Sequence, residues 1–346
     1  MHTGMKKREY MQQWQVMTFR KVMNLLLLFV SYHLARLLKR PIHWGMPFSV
    51  SIEPTTACNL GCPECPSGLR QFTRPTGRLK KETLSTLLTP LAPYLGNVIF
   101  YFQGEPYLHP QFTELVQAAS SRNIYTVTST NAHFLSKENA RKTVQSKLSR
   151  LIISIDGTTQ ETYEQYRIHG DLSKVIEGTK NILAARAELK STTPHVIFQF
   201  LVVKPNEHQI QEVQALATEL GVDEVRLKTA QVYDYANGNA LIPDNDRYSR
   251  YRQKPDGTWE LKNKLLNQCW RMWQGCVFTW DGKVVPCCFD KDASHTLGDA
   301  VNTDFASIWK GDAYRNFRGA ILRSRSEIDI CINCTEGTKV QVSAEQ

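Results

Sequence analysis

A chain of 346 residues has room for one large domain and a small one, or for two ordinary domains. Its 42% hydrophobic and 10% aromatic content is that of a globular protein and excludes a disordered or low-complexity chain. The 42 lysines and arginines outnumber 33 acids for a formal charge of +9, which suits an acidic partner or a membrane surface; no basic–aromatic interleaving or finger spacing accompanies it, so no nucleic-acid partner is expected.

Residues 1–46 open the chain as a basic amphipathic helical segment. In "MNLLLLFVSYHLARLLKR" the apolar run 22–30 lies behind basic residues, and Arg36, Lys39 and Arg40 stand where a signal peptide would place small residues for cleavage. The run is also expected to be too short to span a bilayer. The expectation is a helix packed on the body of the protein, with peripheral membrane contact through residues 22–40 as the alternative. A cytoplasmic location follows, and there clustered cysteines mean metal more often than disulfide.

From residue 47 short β-rich runs alternate with helical stretches. The runs are "FSVSIEP" (48–54), "NVIFYF" (97–102), "IYTVTS" (124–129), "LIISID" (151–156), "VIFQFLVV" (196–203) and "EVRLKT" (224–229). Helical patterns fill 80–95, 111–120, 136–147, 172–189 and 208–220. Six βα units in series predict a parallel sheet with helices over it, an α/β partial (β/α)6 TIM-like barrel over residues 47–230. Residues 231–264 read as a linker. Residues 265–346 form a small cysteine-rich extension, with a hairpin in "VFTWDGKVVPCC" turning at Asp281-Gly282.

Polar motifs follow the strands at one common end. "CNLGCPEC" (58–65) comes after the first, "QGEP" (103–106) after the second, "STN" (129–131) closes the third and "SIDG" (154–157) the fourth. In barrels this end carries the chemistry. Three cysteines in eight residues leave a metal centre one open position. A structural zinc site would have four ligands.

This combination, C-x3-C-x2-C with G-E-P and S-I-D-G, resembles the radical S-adenosylmethionine (radical SAM) enzymes. The resemblance implies that Cys58, Cys62 and Cys65 ligate a [4Fe–4S] cluster whose fourth iron binds S-adenosylmethionine. It implies Gly104 and Glu105 at the methionine amino group, Ser154 and Arg167 at its carboxylate, and Asp156 and Ser129 at ribose or carboxylate. Two positions depart from the family pattern. Gln103 replaces a glycine, at little cost if its side chain points away, and Glu64 replaces an aromatic residue. Adenine is then expected on backbone near Leu227–Lys228.

The C-terminal set, Cys269-x12-Gly282-x4-Cys287 followed by "CINC" (331–334), is similar to the SPASM or twitch extension. That implies an auxiliary [4Fe–4S] cluster on Cys269, Cys287, Cys331 and Cys334, with a four-cysteine zinc site as the alternative. Cys276 and Cys288 are spare unless one replaces a member of the quartet. Asp290 is a candidate to accept the proton lost after hydrogen abstraction. The implied activity is reductive cleavage of S-adenosylmethionine to a 5′-deoxyadenosyl radical that abstracts hydrogen, with reduced flavodoxin or ferredoxin as electron donor. The expected substrate is a peptide or protein side chain. Radical dehydrogenation or rearrangement of a small molecule is the alternative, and a non-enzymatic electron-transfer protein the further one.

Overall fold

A computed structural model describes residues 2–335 and 341–342. The β-rich runs form six strands: β1 (Ser49–Ile52), β2 (Asn97–Ile99), β3 (Tyr125–Thr130), β4 (Arg150–Ser154), β5 (His195–Val202) and β6 (Glu224–Thr229). Each pairs in parallel with the next. β4 and β5 are buried almost throughout, as strands are when helices cover one face and the curved interior packs the other.

Two helices precede the barrel, α1 (His2–Gln15) and α2 (Phe19–Leu38). Between β1 and β2 come the short α3 (Pro66–Leu69) and α4 (Lys81–Leu91). The remaining crossovers carry α5 (Phe112–Ser120), α6 (Lys137–Gln145), α7 (Gln160–Tyr166), α8 (Leu172–Glu188) and α9 (Ile210–Leu220).

The stretch expected to be a linker holds a small antiparallel hairpin, β7 (Tyr251–Gln253) with β8 (Trp259–Leu261). Then α10 (Arg271–Gln274) leads into the expected hairpin, β9 (Gly275–Phe278) and β10 (Lys283–Val285). β9 lies parallel to β1, with Gly275 opposite Ser49. A Cβ on Gly275 would stand 2.0 Å from the Ser49 carbonyl oxygen, so only glycine lets the two backbones approach. β11 (Gly298–Asp299) joins β10, and β12 (Gln341–Val342) runs antiparallel on β6. The sheet among the described residues therefore has ten strands, ordered β11-β10-β9-β1-β2-β3-β4-β5-β6-β12. Three helices complete the C-terminal part: α11 (Phe305–Lys310), α12 (Asp312–Ser324) and α13 (Asp329–Ile332). Trp273, Phe278, Trp309 and Tyr314 are fully buried and join this part to the barrel core.

The apolar run at 22–30 proves to be part of a 20-residue helix, α2, long and apolar enough to cross a membrane by length and composition. The expectation that it is too short fails because the helix continues through Ser31–Ala35. It packs on the barrel through Lys21, Asn24, Leu28, Ser31, Tyr32 and Ala35. α1 reaches the floor of the barrel, where buried Glu9 pairs with Arg150 and Arg226 and accepts a hydrogen bond from the Tyr125 hydroxyl at 3.1 Å.

Candidate functional site

The loop after β1 is pinned from the ends of β2 and β3 and from the turn after α7. Gly61 N donates to Ile168 O at 2.9 Å, Glu105 N donates to Ala57 O at 2.7 Å, and Asn131 Nδ2 donates to Asn59 Oδ1 at 2.8 Å. Gly104 has φ +75°, and a Cβ there would lie 2.2 Å from Thr55 O. The glycine after β2 thus lets that strand end press against the base of the cysteine loop.

Cys58 and Cys65 are half-buried and Cys62 is buried. Burial pushes the Cys58 thiol up to about 12, and Glu105, Cys62 and Cys65 nearby add to the shift. Burial also raises Cys62, against the pull of Arg167, whose Nη1 lies 3.7 Å from its sulfur. Thiols in this state stay protonated until a bound metal ion displaces the proton into solvent. Three such donors on one pinned loop fit a cluster with an open iron.

Glu105 is buried and receives three hydrogen bonds: from Thr130 Oγ1 at 2.7 Å, Asn131 N at 2.8 Å and Tyr107 N at 3.1 Å. Burial raises its carboxyl, opposed by those bonds. Ser129 and Ser154 sit side by side at the ends of β3 and β4, their hydroxyls 3.5 Å apart.

Arg167 Nε donates to Asp156 Oδ2 at 2.5 Å, while Asp156 Oδ1 accepts from Leu201 N at 2.7 Å. Asp156 is wholly buried, so the carboxylate expected at ribose or methionine instead anchors Arg167 beside the cysteine loop. Burial works against the Arg167 charge, but Asp156 and Cys62 outweigh it and hold the guanidinium well above its ordinary value.

Of the two departures, Gln103 differs from expectation. Gln103 points toward the loop: its Oε1 accepts from Ser67 Oγ at 3.1 Å and lies 3.9 Å from Cys65 Sγ. Ser67 Oγ in turn accepts from Gly104 N at 2.8 Å. The Leu227–Lys228 backbone expected to receive adenine is flanked by β5 on one side and β12 on the other. Glu64 accepts from Tyr233 N at 2.9 Å.

The second cysteine group lies across the barrel mouth. The Cys287 thiol is raised by burial, with Cys288, Cys269 and Cys334 adding to it, and Cys331 is pushed up to about 11 by burial and Cys334. Arg325 is buried among them, its Nη2 2.9 Å from Cys334 Sγ. Burial opposes its charge, and Cys334, Cys269 and Cys331 outweigh it. No motif in the sequence announces this arginine. Cys287 thus lies near Cys269, Cys288 and Cys334, and Cys331 near Cys334, with a fixed cation beside them. Cys276 is buried near Tyr314 and Arg318.

A cavity of about 1080 Å³ occupies the barrel interior and connects the two regions. Glu64 and Tyr166 line its cysteine-loop side, Cys288 and Phe289 its C-terminal side, and Lys228 and Lys291 stand between. Asp290 is not on that wall. Its two carboxylate oxygens accept the amides of Ser294 at 2.8 Å and His295 at 3.0 Å, so it holds its own loop and does not face the cavity as a proton acceptor would.

Comparison with known proteins bears on this arrangement. Residues 52–217 match the radical SAM superfamily, and residues 269–335 match SPASM, an iron–sulfur cluster-binding domain. The PqqA peptide cyclase of Gluconobacter oxydans is 30% identical over 206 residues, 58% of this chain and 55% of that protein, so the chain matches about half of that relative's length. The AdoMet-dependent heme synthase of Nitratidesulfovibrio vulgaris is 23% identical over 78% of this chain and 80% of its own. Among solved structures, Streptococcus suis SuiB superposes with a TM-score of 0.63 at 17% identity, over 87% of this chain and 73% of that one, a likeness of fold.

Proposed function

The chain belongs to the radical SAM superfamily and carries its SPASM iron–sulfur domain behind the barrel, and from that premise we propose an enzyme that modifies a peptide or protein side chain by hydrogen abstraction. The single observation that carries the reading is one cavity bounded by the cysteine loop on one side and the C-terminal cysteine region on the other. Peptide modification is favoured by the relatives named PqqA peptide cyclase and mycofactocin maturase.

Cys58, Cys62 and Cys65 hold the first [4Fe–4S] cluster in this reading, and Cys269, Cys287, Cys331 and Cys334 the auxiliary one. When bound, the first cluster supplies the electron that splits S-adenosylmethionine to a 5′-deoxyadenosyl radical able to take hydrogen from the substrate. The chain's own residues position the reactants. Glu105 offers a buried carboxylate to the ammonium of the cofactor, and Thr130, Asn131 and Tyr107 fix its orientation. Arg167, held by Asp156, presents a fixed cation to the carboxylate. The Ser129 and Ser154 hydroxyls add neutral donors at the adjoining strand ends. Arg325 offsets the negative charge that four thiolates bring into a buried site. Reduced flavodoxin or ferredoxin supplies the electron, matching an acidic carrier to a chain of charge +9, and the enzyme works in the cytoplasm, where thiols stay reduced.

The test is anaerobic reconstitution followed by incubation with deuterium-labelled cell extract, divided into peptides and small molecules. Deuterium in 5′-deoxyadenosine from the peptide fraction supports the reading. Label only from the small-molecule fraction overturns the substrate class. The Cys62→Ala variant is expected to release no 5′-deoxyadenosine, while Cys331→Ala with Cys334→Ala loses about four irons per chain and still cleaves the cofactor. Full cleavage by Cys62→Ala would refute the assignment of the first site.

A further inference from the structure

The helix α2 buries polar groups beside apolar ones and leaves much of its apolar surface outside. Its inward stripe includes Lys21, Asn24 and Ser31, and each polar group there is matched: Lys21 Nζ donates to Val16 O at 3.0 Å and to Asn123 O at 2.5 Å, Asn24 exchanges two hydrogen bonds with the Met46 backbone, and Ser31 Oγ donates to Leu28 O at 3.1 Å. The outward stripe is apolar. Phe19 is 83% exposed, Leu26 50%, Phe29 52% and Leu37 77%, and Trp14 at the end of α1 is 70% exposed. A monomer in water rarely shows so continuous an apolar face.

Charge says what covers it. Between Glu9 and Glu53 the sequence contains no acid, and Arg20, Arg36, Lys39 and Arg40 are all exposed at the two ends of the helix. We infer that the outer face of α2 docks on an anionic lipid bilayer surface. The helix lies in the interface with its apolar face among the acyl chains and its terminal cations among the headgroups. A second copy of the chain on this face would bring like charges together, whereas anionic headgroups complement them. Spanning the bilayer would strip Lys21 and Asn24 of their partners, so the helix rests on the membrane without crossing it.

The experiment uses the full-length reconstituted protein and sedimentation with two vesicle preparations, phosphatidylcholine alone and phosphatidylcholine with an equal part of phosphatidylglycerol. Binding is expected with the anionic vesicles and to weaken as salt rises. Leu26→Gln, Val30→Gln and Leu37→Gln together remove only exposed side chains. They are expected to lower partitioning by about tenfold or more, with iron content and circular dichroism unchanged. Arg40→Gln should lower it by about fivefold. Three results would overturn the inference: no binding to either vesicle, equal binding by the triple variant, or a vesicle-free dimer that the triple variant abolishes. Bound protein that resists alkaline carbonate and leaves only with detergent would equally overturn it, in favour of a spanning helix.

Discussion

Cys287 and Cys288 are adjacent at the turn after β10 but meet different neighbours. Cys287 lies near Cys269 and Cys334 as well as Cys288, while Cys288 lines the barrel cavity, where Arg271 Nη1 approaches its sulfur at 3.6 Å. The two should therefore part company on substitution. Cys287→Ser is expected to lower bound iron by one cluster, about four irons, and Cys288→Ser to leave iron and sulfide unchanged. Equal iron loss in both variants would make Cys288 a ligand. At this scale the sequence is readable where chemistry depends on spacing along the chain, as in Cys58, Cys62 and Cys65. It is opaque where a rotamer decides. Asp290 follows Cys287 by three residues, yet its carboxylate turns to the Ser294 and His295 amides, and Gln103 turns toward Cys65 and Ser67. Arg325 is invisible from sequence because its partners lie both before and after it in the chain and meet only on folding.

Among the elements, the join between barrel and extension rests on the end of β1. Glu53 is fully buried there, its two oxygens held by Arg74 Nη1 at 2.9 Å and Nη2 at 2.6 Å, and Oε2 also accepts the Trp280 amide at 3.2 Å. Trp280 belongs to the turn between β9 and β10, so one carboxylate ties the first strand to the extension's hairpin. Burial raises the Glu53 carboxyl even against Arg74, so losing the arginine leaves an uncompensated buried acid. Arg74→Ala is expected to cost about 3–5 kcal/mol, measured by denaturant unfolding. Arg74→Ala with Glu53→Gln should recover part of the loss, and a single variant as stable as the parent would remove this pair from any structural role. The strands and long helices are legible because each is a run of apolar residues long enough to register, nearly continuous in the buried strands and periodic in the helices. α7 has only seven residues, and β7 and β8 three each, too few for periodicity to register. α2 misleads in another way: its apolarity is read as burial, but much of its apolar surface is exposed, and Lys21 and Asn24 share the buried stripe with Leu28, Tyr32 and Ala35 because they find backbone partners on the body.

Across the whole molecule, the barrel has a charged floor and a cysteine-bearing roof, and each should give a different response to solution conditions. On the floor, burial opposes ionisation of Glu224, but His195 and Arg226 outweigh it and bring the carboxyl down to about 2. A depressed folded-state value stabilises the fold above the unfolded carboxylate range, near pH ~4.3, and the contribution is lost as pH falls from there toward about 2. Glu224→Gln should flatten the fall in melting temperature over that interval, and an unchanged slope would assign acid sensitivity elsewhere. The roof is held by short elements: α13 has four residues, and the stretch from Cys287 to Leu297 among the described residues contains no helix or strand. β9 and β10, by contrast, belong to the ten-stranded sheet, and α11 and α12 bury Trp309 and Tyr314 in the common core. Because metal binding contributes folding free energy where a site has little other support, removing iron should act locally. Hydrogen exchange after chelation is expected to accelerate by about a hundredfold or more at 287–297 and 325–335, equivalent to an opening cost lowered by about 3 kcal/mol. The amides of β9, β10 and α12 should exchange at nearly the parent rate. Uniform loss of protection through the barrel would show that the clusters hold up the entire fold, and no loss at 325–335 would mean that the quartet is pre-formed by Arg325 and packing alone.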